Sequence, residues 1–130
     1  MFASARQTYE AATKTSISSR ELEARALSKA AQLLQDCAQQ WTAPGREARL
    51  DEAIRFNQRL WSVFQAELVS PNHELPLDLR VNLLRLSQFI DKRSFEVLAE
   101  PSPDKLKSLI ELNRNIAEGL RMEPATVPAR

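Results

Sequence analysis

Between residues 50 and 68 the sequence reads LDEAIRFNQRLWSVFQAEL, and this stretch limits what the rest of the chain can become. At about 100° per residue, Leu50, Ala53, Ile54, Leu60, Trp61, Phe64 and Leu68 fall on one side of a helix. So broad an apolar stripe cannot stand alone in water, and other elements have to cover it. One polar residue, Asn57, stands in the middle of the stripe.

Composition decides what those other elements are. The chain has only two glycines, Gly45 and Gly119, where strand-rich domains need more turn glycines. Ala, Leu, Glu, Gln and Arg are abundant, and Val, Ile and Thr are sparse, which favours helix. With 130 residues and 43% apolar content, the chain is sized for one domain with one core. The expected fold is an all-α antiparallel bundle of four main helices with a short N-terminal helical arm. The domain spans 1–121 and a disordered tail spans 122–130.

Charge and targeting signals exclude several classes. Eighteen basic residues against seventeen acidic give a net charge of +1, too little to hold a polyanion through a global field. No run of apolar residues is long enough for membrane insertion. The opening MFASARQTYEAA lacks the apolar core of a secretory signal. A single cysteine, Cys37, forms no internal disulfide. The cytoplasm is the expected compartment.

The helices can be placed in turn. Residues 3–14, with Tyr9, form a short arm, frayed or docked on the body. TSISS is a break. Ser18 and Glu21 have the spacing of a capping box, opening a helix whose apolar arc is Leu22, Ala26, Ala30, Leu33, Cys37 and Trp41, with Ala31 and Leu34 at its edge. Thr42-Ala43-Pro44-Gly45 ends it. The central helix runs over 46–69. Asp51 and Arg55 sit four apart on its outer face, worth roughly 0.2–0.5 kcal/mol. A loop precedes Pro76, which opens the next helix. That helix is apolar on two sides: Leu79, Leu83, Leu86, Ile90 and Val97 on one, Leu77, Val81, Leu84 and Phe95 on the other. DKRS, at 91–94, marks a potential break. Ser102, Pro103 and Asp104 form a strong start for the last helix, which carries Asn113 within its apolar stripe.

Chemistry is thinly represented. Cys37 and His73 are the lone residues of their types, so neither joins a His or Cys metal set. A buried small side chain explains Cys37 and a solvated loop residue explains His73. The glycines cannot form a phosphate loop, and the carboxylates are scattered. No catalytic site, metal or cofactor is expected, and the chain does not read as an enzyme. Arg46, Arg49, Arg55 and Arg59 are interleaved with Glu47, Asp51 and Glu52, a solvated mixed-charge face rather than an RNA groove. Asn57 and Asn113 either set helix register, with each other as one available partner, or contact a bound peptide, and register is the plainer reading. The second apolar side of the 77–99 helix either packs inside the bundle or receives a partner's amphipathic helix.

Several blocks resemble the FlaF family of flagellar biosynthesis proteins. Ser19-Arg20-Glu21-Leu22-Glu23, after an arm carrying Tyr9, resembles its opening. Asn57-Gln58-Arg59-Leu60-Trp61-Ser62-Val63-Phe64 resembles its N-x-x-L-W-x-x-F block. Leu75-Pro76-Leu77-Asp78-Leu79-Arg80 resembles its L-P-x-x-L-R block. The run from Leu112 through Asn113 to Leu120 resembles its closing block. The resemblance implies a cytoplasmic, non-enzymatic assembly factor that binds flagellin and supports its synthesis and export. The alternative it implies is a regulator of flagellin mRNA, acting with the regulator FlbT or on RNA directly. No cofactor belongs to the family pattern. The expected partners are flagellin's amphipathic terminal helices, an FlbT-like regulator, or a second copy of the chain, with direct RNA binding not favoured. The expected contact surface is Leu77, Val81, Leu84 and Phe95, helped by Phe56 and Val63.

Overall fold

The computed structural model describes residues 19–122 except Asn72. The arm over 3–14, the break after it, Ser18 and the tail from residue 123 lie outside the described residues. Four helices follow one another: α1 (Ser19–Gln39), α2 (Arg46–Leu68), α3 (Leu77–Ala99) and α4 (Leu106–Met122). A 3-10 turn, Pro103–Lys105, leads into α4. No strand occurs among the described residues, and the fold class is all-α.

The core is built mainly by α1, α2 and α4, and α1 packs most extensively on α4. Small residues on α1 make this close approach possible: Ala24, Ala30 and Ala31 are fully buried, together with Leu27, Leu34 and Cys37. Ala24 and Leu27 do not belong to the arc read off the sequence, whose centre is displaced by about one residue. Trp41 is also displaced. α1 ends at Gln39, so Trp41 lies in the following turn, half-buried, with the Arg46 guanidinium 4.4 Å over its ring. On α2, Leu50, Ala53, Ile54, Trp61 and Leu68 are buried as expected, and Leu60 and Phe64 pack at the core's edge.

The two asparagines meet. Asn113 donates from Nδ2 to Asn57 Oδ1 at 2.8 Å, and Trp61 donates from Nε1 to Asn113 Oδ1 at 2.9 Å. Both asparagines are fully buried, so this chain of bonds fixes α2 against α4 in one register.

Helix ends are closed by arginines that sequence periodicity does not single out. Arg49 donates to the carbonyl oxygens of Pro44, Gln40 and Ala43 at 2.8, 2.9 and 3.1 Å, gathering the acceptors of the turn that follows α1. Gly45 makes room for it. Its φ is 87°, and a Cβ there would lie 3.2 Å from Arg49 Nη1. Arg80 repeats the arrangement at the other end of α2, donating to Ser70 O at 2.7 Å and Leu68 O at 3.2 Å. Arg49 therefore leaves the mixed-charge outer face to which spacing assigned it. The Asp51–Arg55 pair forms as expected at 2.9 Å.

α3 is continuous through 91–94, with no break at DKRS. Ser94 is fully buried against the body there, its hydroxyl satisfied within its own helix by donating to Ile90 O at 2.7 Å. Ser102 caps the last helical segment as expected, accepting from Asp104 N, although the first turn is 3-10 rather than α.

Candidate functional site

The outermost helix, α3, carries two ladders side by side, each advancing in alternating steps of four and three residues. The inner ladder is Leu83, Ser87, Ile90, Ser94 and Val97, of which the last four are buried. The outer ladder is shifted by one position: Leu77, Val81, Leu84, Gln88, Asp91, Phe95 and Leu98. Leu77 and Phe95 are 64% and 66% exposed, Leu98 is exposed, and Val81 and Leu84 are half-buried. Four of the expected contact residues thus share one stripe on the bundle's exterior. Gln65 of α2 donates from Nε2 to Asp91 Oδ2 at 3.1 Å, which places α2 along one border of that stripe.

Phe56 and Val63 do not join it. Both are half-buried. Lys29 of α1 sits 5.3 Å over the Phe56 ring. Phe56 and Gln65 are nine positions apart, so they project from α2 about 180° from each other. Val63 lies on the Phe56 side. The side of α2 that meets α3 is therefore not the side that carries Phe56 and Val63.

A second concavity opens beside the stripe. It is a cleft of about 790 Å³ where the start of α1, the ends of α2 and α4, and the loop before α3 converge. Leu27, Trp61, Phe64, Leu68 and Leu83 contribute to its apolar lining. Sequence periodicity marks all of these but Leu27 as core and gives no sign that they border an opening.

The cleft's polar border includes Glu23, Glu67, His73 and Glu74. Among the described residues, no three His, Cys, Asp or Glu side chains are grouped as metal ligands. Cys37 is buried, and burial pushes its thiol up, partly opposed by Arg49 and Arg46. His73 is half-buried and serves its own loop, where its Nδ1 accepts the Leu75 backbone N–H at 3.1 Å. The two stand at opposite ends of α2, whose 23 residues span about 35 Å. No Cys–His pair forms.

The arrangement on α3 suits an apolar stripe of a partner helix, with Gln88 and Asp91 supplying polar contacts at mid-length. Comparison with family models identifies the lineage: the model described as "Flagellar protein FlaF" matches residues 5–120. This chain belongs to the FlaF family. Searches of curated proteins and of solved structures return no match. Within this FlaF-family chain, Asn57 and Trp61 of the central block and Asn113 of the closing block are the three members of the buried hydrogen-bonded chain. Leu77 of the L-P-x-x-L-R block starts the exposed stripe, and Arg80 of the same block closes the end of α2. The family blocks therefore supply mostly internal structure and one edge of the candidate surface. Among the described residues, no FlaF helix is long and apolar enough to cross a membrane.

Proposed function

We propose that this FlaF-family protein binds flagellin in the cytoplasm before export, and thereby supports flagellin synthesis and delivery to the export apparatus. One observation carries this reading: the outer ladder of α3 presents Leu77, Val81, Leu84 and Phe95 on the outside of the bundle, apart from its buried core cluster. Flagellin's terminal segments are amphipathic helices that stay unpaired until the filament forms. Covering their apolar stripes with a matching one removes both from water.

The RNA-directed alternative draws less support. Arg49 is engaged with backbone carbonyls and Arg55 with Asp51, while Arg46 is stacked on Trp41. The cluster that would grip a phosphate backbone is dispersed by these engagements.

The test is co-purification with flagellin and with flagellin lacking either terminus, using the protein and a Val81→Asp/Leu84→Asp double variant. A Leu77→Asp/Phe95→Asp variant changes only strongly exposed positions and guards against misfolding. Loss of capture by folded variants is expected. Undiminished capture by both removes the α3 stripe as the flagellin site. The same pull-down from flagellated cells distinguishes flagellin, an FlbT-like regulator and RNA as bound species.

A further inference from the structure

We propose that the cleft at the start of α1 is the seat of this chain's own N-terminal segment, with Tyr9 as the anchoring side chain, and that its docking braces the first half of α3 from within. The cleft is large for a feature left open by a four-helix body, and its lining of Leu27, Trp61, Phe64, Leu68 and Leu83 calls for an apolar occupant.

Three observations select the segment before Ser19. The first is position. Ser19 and Arg20 lie on the cleft's rim, so the chain enters the body at the edge of the opening. Seven residue-to-residue steps lead from Ala12 to Ser19, enough to span up to about 23 Å. A tethered segment also competes at an effective concentration in the millimolar range, about what short flexible linkers give. The second is pattern. Phe2, Ala5, Tyr9 and Ala12 follow one another in steps of three, four and three, a single narrow stripe with small residues on both sides of the tyrosine. The third is charge. Glu23, Glu67 and Glu74 line the cleft against Arg20, while the segment carries Arg6 and Lys14 against Glu10. Opposite excess charge favours the encounter. The family match, which begins at residue 5, also takes in most of this stretch.

The consequence falls on α3. None of its residues before Ser87 is buried among the described residues, and Leu83 is the one α3 residue that lines the cleft. A segment seated there fills the space beneath the inner ladder's first turns. It thereby holds the half of the helix that carries Leu77, Val81 and Leu84.

The experiment uses the full chain. Hydrogen exchange is followed at the amides of 77–86 in the protein, in Tyr9→Ala and in Tyr9→Phe. In parallel, in a Cys37→Ala background, Tyr9→Cys is combined either with Leu83→Cys, in the cleft, or with Phe89→Cys, off both ladders of α3. The expected result is exchange about tenfold faster in Tyr9→Ala, restored in Tyr9→Phe, with a disulfide within one chain at the Leu83 position and little at the Phe89 position. Unchanged exchange, equal cross-linking at both positions, or disulfides formed between chains would each overturn the proposal, the last assigning the cleft to a second copy. None of these readouts needs flagellin, so their outcome is separate from that of the capture experiment.

Discussion

Asn113 accepts the Trp61 indole N–H on its oxygen and donates through its nitrogen to Asn57, joining the buried faces of α2 and α4 by a chain of polar atoms. Replacing Asn113 by alanine strands both partners at once. A loss of about 3 kcal/mol in urea unfolding is expected, since each stranded buried group costs roughly 1–3 kcal/mol. In a double-mutant cycle with Asn57→Leu and Asn113→Leu, the coupling should be about 1 kcal/mol or more. Additive effects would show that the bond contributes little beyond the side chains' volume.

Arg49 reaches three carbonyl oxygens with a planar fork that lysine cannot reproduce. Arg49→Lys should cost about 1–2 kcal/mol in chemical denaturation despite keeping its charge, and Arg49→Ala somewhat more. Equal stability of the lysine variant and the parent would show that charge, not geometry, closes α1.

Ser94 is fully buried at the contact of α3 with the body, and its hydroxyl is already satisfied within its own helix. Ser94→Ala should therefore be nearly neutral in thermal unfolding. Ser94→Leu pushes α3 outward and should cost about 1–3 kcal/mol. The contrast between the two measures how tightly α3 is seated.

Glu21 links the start of α1 to the end of α4. It accepts from Arg121 Nε and from Arg25 Nε, each at 3.2 Å. Arg121 first, then Arg25, holds its carboxyl below the ordinary glutamate value. A depressed carboxyl adds stability that is fully present above its unfolded value and fades as pH falls through the folded one. Stability should thus decline as pH falls below about 4.5. Glu21→Gln should make the acid limb shallower without altering the neutral plateau's shape. The difference should shrink in high salt, because these side chains are partly exposed.

Periodicity makes the four helices legible, because a stripe such as Leu50 to Leu68 admits few other conformations. The Asn57–Asn113 contact is legible too, since a lone amide in each of two apolar stripes needs a partner. Periodicity also reveals the second side of α3. It cannot show that Phe56 and Val63 face away from it, because that depends on how α2 is rotated among its neighbours. The carbonyl-closing roles of Arg49 and Arg80 are hidden for a related reason. An arginine's reach spans several residues, so its target is set by where the preceding helix stops rather than by spacing. The cleft is invisible in principle: residues bordering an opening have the same composition as residues sealed inside.

The two ends of α3 are held differently. Its later half is clamped by the buried Ser87, Ile90, Ser94 and Val97, while within its opening turns Arg80 supplies hydrogen bonds to the turn before it. Apart from the proposed brace beneath Leu83, such a helix behaves as a cantilever. Thermal motion should grow toward Leu77, so a visiting helix would find its firmest footing near Phe95 and zip from there toward the free end.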